Sequence, residues 1–219
     1  MANEKIKKDV VDNLYWDSRI DASDIKVQVD RGGKVKLKGT VPSYTAKTSA
    51  TTCAWDVNGV TRVVNELGVE YPTALKVPSD TDIKSNVESA LLWSADIDST
   101  KIDVSVDDNE VTLEGTVDAY WKKYRAETLS DLSGVHSIVN KLAVVPTEDI
   151  ADEQIAEDVI NALTRNVNVD PEKIEVKVKN GKVTLNGEVT SWNTFRAAER
   201  STYFTSGVKD VDNLISIEY

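Results

Sequence analysis

The sequence predicts an α+β protein made of three tandem αββαβ units, each a three-stranded mixed sheet with two helices on one face. Three recurring anchors carry that prediction. The pattern V-x-L-x-G-x-V runs over 35–41, 111–117 and 183–189. A Gly-Val pair recurs as Gly59-Val60, Gly134-Val135 and Gly207-Val208, and each Gly is followed six residues later by an Asn, at 65, 140 and 213. Ile6, Ile83 and Ile155 each stand 19 residues before Ile25, Ile102 and Ile174. A repeat of this kind is one supersecondary unit copied along the chain.

The first element of each unit has apolar residues at helical spacing: Ile6, Val10 and Leu14, then Ile83, Val87 and Leu91, then Ile155, Val159 and Leu163. Strict alternation follows in Ile25-x-Val27-x-Val29 and its two copies, the mark of a strand with one buried face. A turn comes next, over 31–34, 107–110 and 179–182; its Gly32-Gly33 and Asn180-Gly181 pairs supply the positive φ angles of a tight hairpin, so the V-x-L-x-G-x-V strand pairs antiparallel with its predecessor. A second helix with a narrow, small-residue face follows, carried by Ala46, Ala50 and Ala54, by Ala126 and Leu129, and by Ala197 and Ala198. A third strand closes the unit: Val63, Leu67 and Val69 match Ile138, Leu142 and Val144, and Val211, Ile215 and Ile217. A helix between the second and third strands is a crossover connection.

The expected units are residues 1–71, 80–145 and 150–219, joined by linkers 72–79 and 146–149. Both linkers contain proline and neither is rich in Gly or Ser, which predicts a semi-rigid arrangement. A unit of about 70 residues lies near the lower size limit for an independent core, so contacts between units are expected to add stability.

Composition narrows the function. With 40% apolar and 29% charged residues the chain is globular, and no apolar run approaches the ~18 residues of a membrane span. Charge within the first eight residues leaves no apolar signal core, which makes the cytoplasm the expected location; a trimmed leader would make it the periplasm. One Cys and one His are too few for a zinc site, and no cofactor or metal is expected. Asp96-x-Asp98-x-Thr100 begins like a calcium loop, but Lys101 stands where that loop needs Gly. Cys53 is expected to be a small buried group. His136, matched in the other units by Thr61 and Lys209, is expected in a surface loop.

The net charge of −11 divides unevenly: +2 over 1–76, −8 over 77–148 and −5 over 149–219. In the basic first unit Lys34, Lys36 and Lys38 alternate with Val35 and Leu37. A strand would set their ammonium groups in one row on the solvent face, with Lys26 on the paired strand. These four lysines are the candidate site for an anionic phospholipid; the plainer reading is a sheet face kept soluble by lysine. An acidic remainder argues against nucleic acid. Aromatic residues recur at the end of the first helix (Tyr15-Trp16, Leu92-Trp93) and at the start of the second (Tyr44, Tyr120-Trp121, Trp192 with Phe195), where packing within or between units is the expected role. The three asparagines are expected to hydrogen-bond the loop entering the third strand. The glycines at 39, 115 and 187 are expected where helix approaches sheet, and those at 59, 134 and 207 as helix C-caps.

The succession helix, I-x-V-x-V, turn, V-x-L-x-G-x-V, helix, G-V-x-x-V-x-N, strand resembles the BON domain of bacterial osmotically induced and envelope proteins, in all three units. The resemblance implies a non-enzymatic phospholipid-binding module linked to osmotic stress and envelope integrity. Two other readings stay open: a structural or chaperone-like scaffold for protein partners, and a sensor of potassium built from backbone carbonyls.

Overall fold

The computed structural model describes residues 2–72 and 77–218; Thr73 to Lys76, within the expected first linker, lie outside the described residues. The first unit comprises α1 (Ala2–Trp16), β1 (Lys26–Val29), β2 (Lys34–Val41), α2 (Tyr44–Trp55) and β3 (Arg62–Val69). The second comprises α3 (Asp80–Leu92), β4 (Ile102–Asp107), β5 (Glu110–Val117), α4 (Tyr120–Leu129), β6 (Ser137–Asn140) and β7 (Ala143–Val144). The third comprises α5 (Asp152–Thr164), β8 (Ile174–Lys179), β9 (Lys182–Val189), α6 (Trp192–Tyr203) and β10 (Asp210–Ile217).

Each sheet is mixed. The hairpin partner is antiparallel to the central strand and the post-crossover strand is parallel to it, as β1-β2-β3, β4-β5-β6 and β8-β9-β10. The hairpins of the second and third units turn through consecutive left-handed residues, Asp108 and Asn109, and Asn180 and Gly181. In the second unit the third strand is interrupted: β6 pairs β5 as far as Asn140 and β7 resumes at Ala143, while Lys141 N still donates to Leu113 O. Short 3-10 turns precede β4 and β8, over Ser99–Lys101 and Pro171–Lys173. The first explains the apparent calcium loop: the Asp98 carboxylate accepts from Thr100 N and Oγ1 and so caps the turn.

Three separate cores form, one per unit. Val10, Leu14, Val35 and Leu37 are fully buried in the first, Val87, Leu91, Val111 and Leu113 in the second, and Val159, Leu163, Val183 and Leu185 in the third. Helix one and the inner face of the sheet thus supply the large side chains. The second helix lies close because its inner residues are small, with Ala46, Ala50 and Ala54 all fully buried on α2.

Three expectations for small and polar residues change on inspection of the fold. Gly39 has φ +120, and a Cβ there would run into the carbonyl oxygen of Asp24, in the chain leading to β1; Gly115 and Gly187 meet Lys101 and Lys173 in the same way. The close approach is therefore backbone on backbone, not helix on sheet. Gly59 is not a C-cap: Asp56 caps α2, and Gly59 stands in the following turn against the side chain of Ile6. Asn65 Nδ2 donates across the fold to Lys47 O and Thr51 Oγ1 on α2, both at 2.7 Å, while its Oδ1 accepts from Leu67 N. Asn140 does the same with Lys123 O on α4 and Leu142 N. These asparagines bind the second helix to the third strand rather than holding a loop.

The units meet through side chains at the ends of their second helices, and the first reaches the second through Tyr71 as well; among the described residues no two elements from different units pack along their lengths. The end of α2 meets the start of α6, where the Trp55 and Trp192 rings stack with centroids 4.1 Å apart and planes 5° from parallel. The end of α6 meets the start of α4, with Tyr203 and Tyr120 at 4.9 Å. The segment after α4 meets the start of α2, where Thr45 Oγ1 donates to the Asp131 carboxylate at 3.0 Å. Trp55, Asp131 and Tyr203 occupy the same position counted from the start of their helices, and Tyr44, Tyr120 and Trp192 are the three starts. The contacts run head to tail and close, first unit to third, third to second, second to first.

Candidate functional site

The site begins with strand parity. Side chains of a strand alternate between faces, and residues directly opposite on a neighbour share a face. Val27, Val35 and Leu37 point into the core. Lys26 therefore lies opposite Lys38, and Gln28 opposite Lys36, on the outer face. The four predicted lysines come together on that face, the one turned away from both helices, with Lys26 and Lys38 exposed and Lys34 and Lys36 half-buried.

The parallel register with β3 adds residues that reading the hairpin alone does not reach. Arg62 stands opposite Lys34, Val64 opposite Lys36 and Glu66 opposite Lys38. Arg62 extends the row to five cations. Two carboxylates adjoin the row: Asp30, in the turn opposite Lys34, accepts from Lys34 N, and Glu66 pairs with two lysines, Lys36 Nζ lying 2.8 Å from its Oε1 and Lys38 Nζ 3.6 Å from its Oε2. Hydrogen bonding from Lys36 holds the Glu66 carboxyl below the usual carboxylate range. The signal for both was present in the sequence, since Arg62, Val64 and Glu66 alternate with Val63, Asn65 and Leu67; it becomes usable once the pairing is known.

The corresponding faces of the other units differ in sign. In the second unit Asp103 lies opposite Glu114 and Asp107 opposite Glu110. Lys141 Nζ, 3.0 Å from Glu114, is the cation there. In the third unit Lys177, Lys179 and Lys182 are balanced by Glu175, Asp210 and Asp212; Lys177 pairs with Glu175, and Lys182 with both aspartates.

The aromatic residues divide into two groups. Those starting the second helices pack between units, and Trp55 and Tyr120 lie against the core of the third. Burial raises the Tyr44 and Tyr120 phenols to about 12, and nearby carboxylates add to the shift, Glu127 and Asp131 for Tyr44 and Asp210 for Tyr120. The residues ending the first helices stay exposed, although the Tyr15 and Trp16 rings meet edge to face at 5.3 Å. Tyr15 is 71% exposed, Trp16 79%, Leu92 69% and Trp93 86%. His136 is half-buried rather than on a free loop: its ring stacks on Tyr71 at 5.5 Å, and the Tyr71 hydroxyl bridges Gly134 N and Val135 O across the first joint. Among the described residues no group of three or more His, Cys, Asp and Glu is placed to hold a metal ion, and no helix is long and apolar enough to cross a membrane.

Comparison with known proteins places this geometry among relatives. The sequence matches the BON domain family over residues 2–71, 79–146 and 151–219. It is 32% identical to the osmotically-inducible protein Y of Escherichia coli, over 63% of this chain and 68% of that protein. It is 28% identical to the outer membrane lipoprotein DolP of Haemophilus influenzae, over 63% of this chain and 72% of that one. A 21 kDa hemolysin of Actinobacillus pleuropneumoniae is 26% identical over 65% of this chain and 74% of its own. Among solved structures, the C-terminal domain of CdsD, a type III secretion structural protein of Chlamydia trachomatis, aligns over 97% of this chain and 96% of its own at 14% identity with a TM-score of 0.28.

Proposed function

Because the chain belongs to the BON domain family, we propose that it is a binding protein without catalytic activity whose first unit docks on anionic phospholipid surfaces. The observation that carries this reading is the outer face of the β1-β2-β3 sheet, where Lys26, Lys34, Lys36, Lys38 and Arg62 outnumber the carboxylates of Glu66 and, at the turn, Asp30. Each such cation near an anionic leaflet contributes roughly 1 kcal/mol. Glu66 engages Lys36 and Lys38 in partly exposed pairs that yield readily to phosphates, because exposed ion pairs hold weakly. The names of two relatives, one osmotically inducible and one an outer membrane lipoprotein, agree with a membrane-surface role under osmotic stress. The second of these names also favours the periplasmic location over the cytoplasmic one; fractionation of the native cells decides between them.

The test is co-sedimentation of the full chain with phosphatidylglycerol vesicles and with phosphatidylcholine vesicles at low and physiological salt. Pelleting is expected with the anionic vesicles alone, and it should fall as salt rises because a Debye length near 8 Å screens the exposed face. The K34Q/K36Q/K38Q variant should lose roughly 3 kcal/mol of binding, or about a hundredfold in affinity. Equal pelleting by that variant would overturn the assignment of the face.

A second reading, a scaffold for protein partners, is favoured by the exposure of Tyr15, Trp16, Leu92 and Trp93, since large exposed aromatics are enriched where proteins meet. It predicts that vesicle binding is absent at both salt concentrations.

A further inference from the structure

Where the second unit meets the third, an open cleft of about 590 Å³ lies between α4 and α6. That volume falls within the range of small-molecule sites. Two features of its lining stand out. The first is a wall of rings: Tyr124 lies 6.3 Å from Tyr203, and Trp121 6.3 Å from Phe204. Tyr124 is 55% exposed and Phe204 60%, so the wall presents apolar surface to water.

The second feature is Arg125 from α4 with Arg196 and Arg200 from α6. Among the described residues none of these three enters an ion pair. Arg196 lies over the Trp192 ring at 5.7 Å and Arg200 over the Phe204 ring at 5.9 Å, contacts that orient a guanidinium without neutralising it. In a chain of net charge −11, three guanidiniums outside any ion pair among the described residues gather at one aromatic cleft, with Arg196 near enough to Glu199 to favour its charged form. The carboxylates in the lining are Asp96 and Glu199. Burial raises the Glu199 pKa, opposed by the hydrogen bond it accepts from Tyr203 and by the charge of Arg196.

The two features together define a ligand with two ends. An inorganic anion would use the arginines and leave the rings wet. A planar aromatic acid would need parallel walls, but the ring pairs are tilted by 42° and 25°. A flexible alkyl chain covers a tilted wall without that requirement. We propose that this cleft binds one molecule of an anionic single-chain amphiphile, its phosphate or carboxylate held by Arg125, Arg196 and Arg200 and its chain lying on Tyr124, Tyr203 and Phe204. The site shares a ligand class with the lysine face of the first unit and no residue with it, so the two readings stand or fall separately.

The experiment is calorimetric titration of the full chain, below the critical micelle concentration of each ligand, with lysophosphatidate, laurate, lysophosphatidylcholine and inorganic phosphate. One-to-one binding of lysophosphatidate and laurate is expected, with phosphate and the zwitterionic lipid at least about tenfold weaker. Charge-assisted hydrogen bonds of this type shift affinity by roughly tenfold or more each, so R196Q/R200Q should lose about a hundredfold. Phe204→Ala should weaken the amphiphiles and leave phosphate unchanged. All three side chains are exposed at the surface, so these variants keep the fold. K34Q/K36Q/K38Q should bind as the parent does. Undiminished binding by R196Q/R200Q, binding of phosphate as tight as lysophosphatidate, or absence of amphiphile binding would each overturn the proposal.

Discussion

Cys53 lies on the inner side of α2, buried, with its Sγ donating to Asp17 Oδ2 at 3.2 Å. Asp17 is itself held by Arg19 through two contacts, at 2.9 and 2.6 Å, and the hydrogen bonds from Arg19 keep its carboxyl well below the usual range. A thiol with these neighbours resists ionisation: burial first, then the donated hydrogen bond to a carboxylate, pushes it from 9.0 up to about 12. The consequence for stability has a definite sign. Below pH 9 the thiol is protonated in the folded and unfolded chains alike, and its contribution is fully present. Between pH 9 and 12 the unfolded chain ionises first, so the contribution is lost as pH rises through that window. At pH 8 the native protein should alkylate about a thousandfold more slowly than the denatured chain, since thiolate is the nucleophile. Equal rates in iodoacetamide labelling, followed by mass, would show that Cys53 is not held in this way. The sequence marked Cys53 as a small buried group from its matches Leu129 and Ser201, but the carboxylate beside it comes from a turn 36 residues away and left no sign in local pattern.

At the level of elements, hairpins and helices are tied by a contact that recurs with variation. The first carboxylate of α3, Asp80, accepts from Asp108 N and Asn109 N at the tip of the β4-β5 hairpin. Asp152 at the start of α5 accepts from Asn180 N and Gly181 N at 2.7 and 2.8 Å. The first unit has Asn3 at this position and a longer turn, and there Asp30 within the turn accepts from Gly32 N and Lys34 N instead. Asp152→Ala should cost about 2 kcal/mol, from lost charge-assisted bonds and a lost favourable charge at a helix start. Denaturant unfolding reads that loss. Amide exchange should quicken at Asn180 and Gly181 more than elsewhere in β8 and β9, and a uniform change would argue against the clamp. Most elements were legible because periods of 2 and 3.6 residues are written into Ile102-x-Val104-x-Val106 or Ile155, Val159 and Leu163, and because three copies agree. The break between β6 and β7 was not, since Asn140-Lys141-Leu142 reads like Asn65-Glu66-Leu67, which continues unbroken in β3. The lysine face was legible by parity within one hairpin. Arg62 and Glu66 were not, because their place depends on a parallel register set by a crossover, and the asparagine contacts cross the fold from strand to helix.

For the whole molecule, the arrangement of units rests on few side chains. Trp55 and Trp192 join the first unit to the third, which are not neighbours in sequence. Such a stacked pair contributes about 1 kcal/mol beyond the area it buries. Trp192→Ala should abolish the exciton couplet of the stacked indoles in near-ultraviolet circular dichroism and increase the radius of gyration in small-angle scattering, while each core stays folded. An unchanged radius would mean that the remaining contacts between units suffice to hold the arrangement. The exposed and the packed aromatics could not be separated from sequence, because Trp16 and Trp192 differ in where neighbouring units fall rather than in their own surroundings. The head-to-tail order also leaves no second-helix end without a partner within the chain. Every unit carries one projecting helix start and one receiving helix end, and three units in a circle satisfy all six without a remainder. Heterologous contacts of this kind extend without limit unless a rotation closes them. The third repeat therefore closes the circle: its helix end and helix start take the two positions that the first and second units leave open.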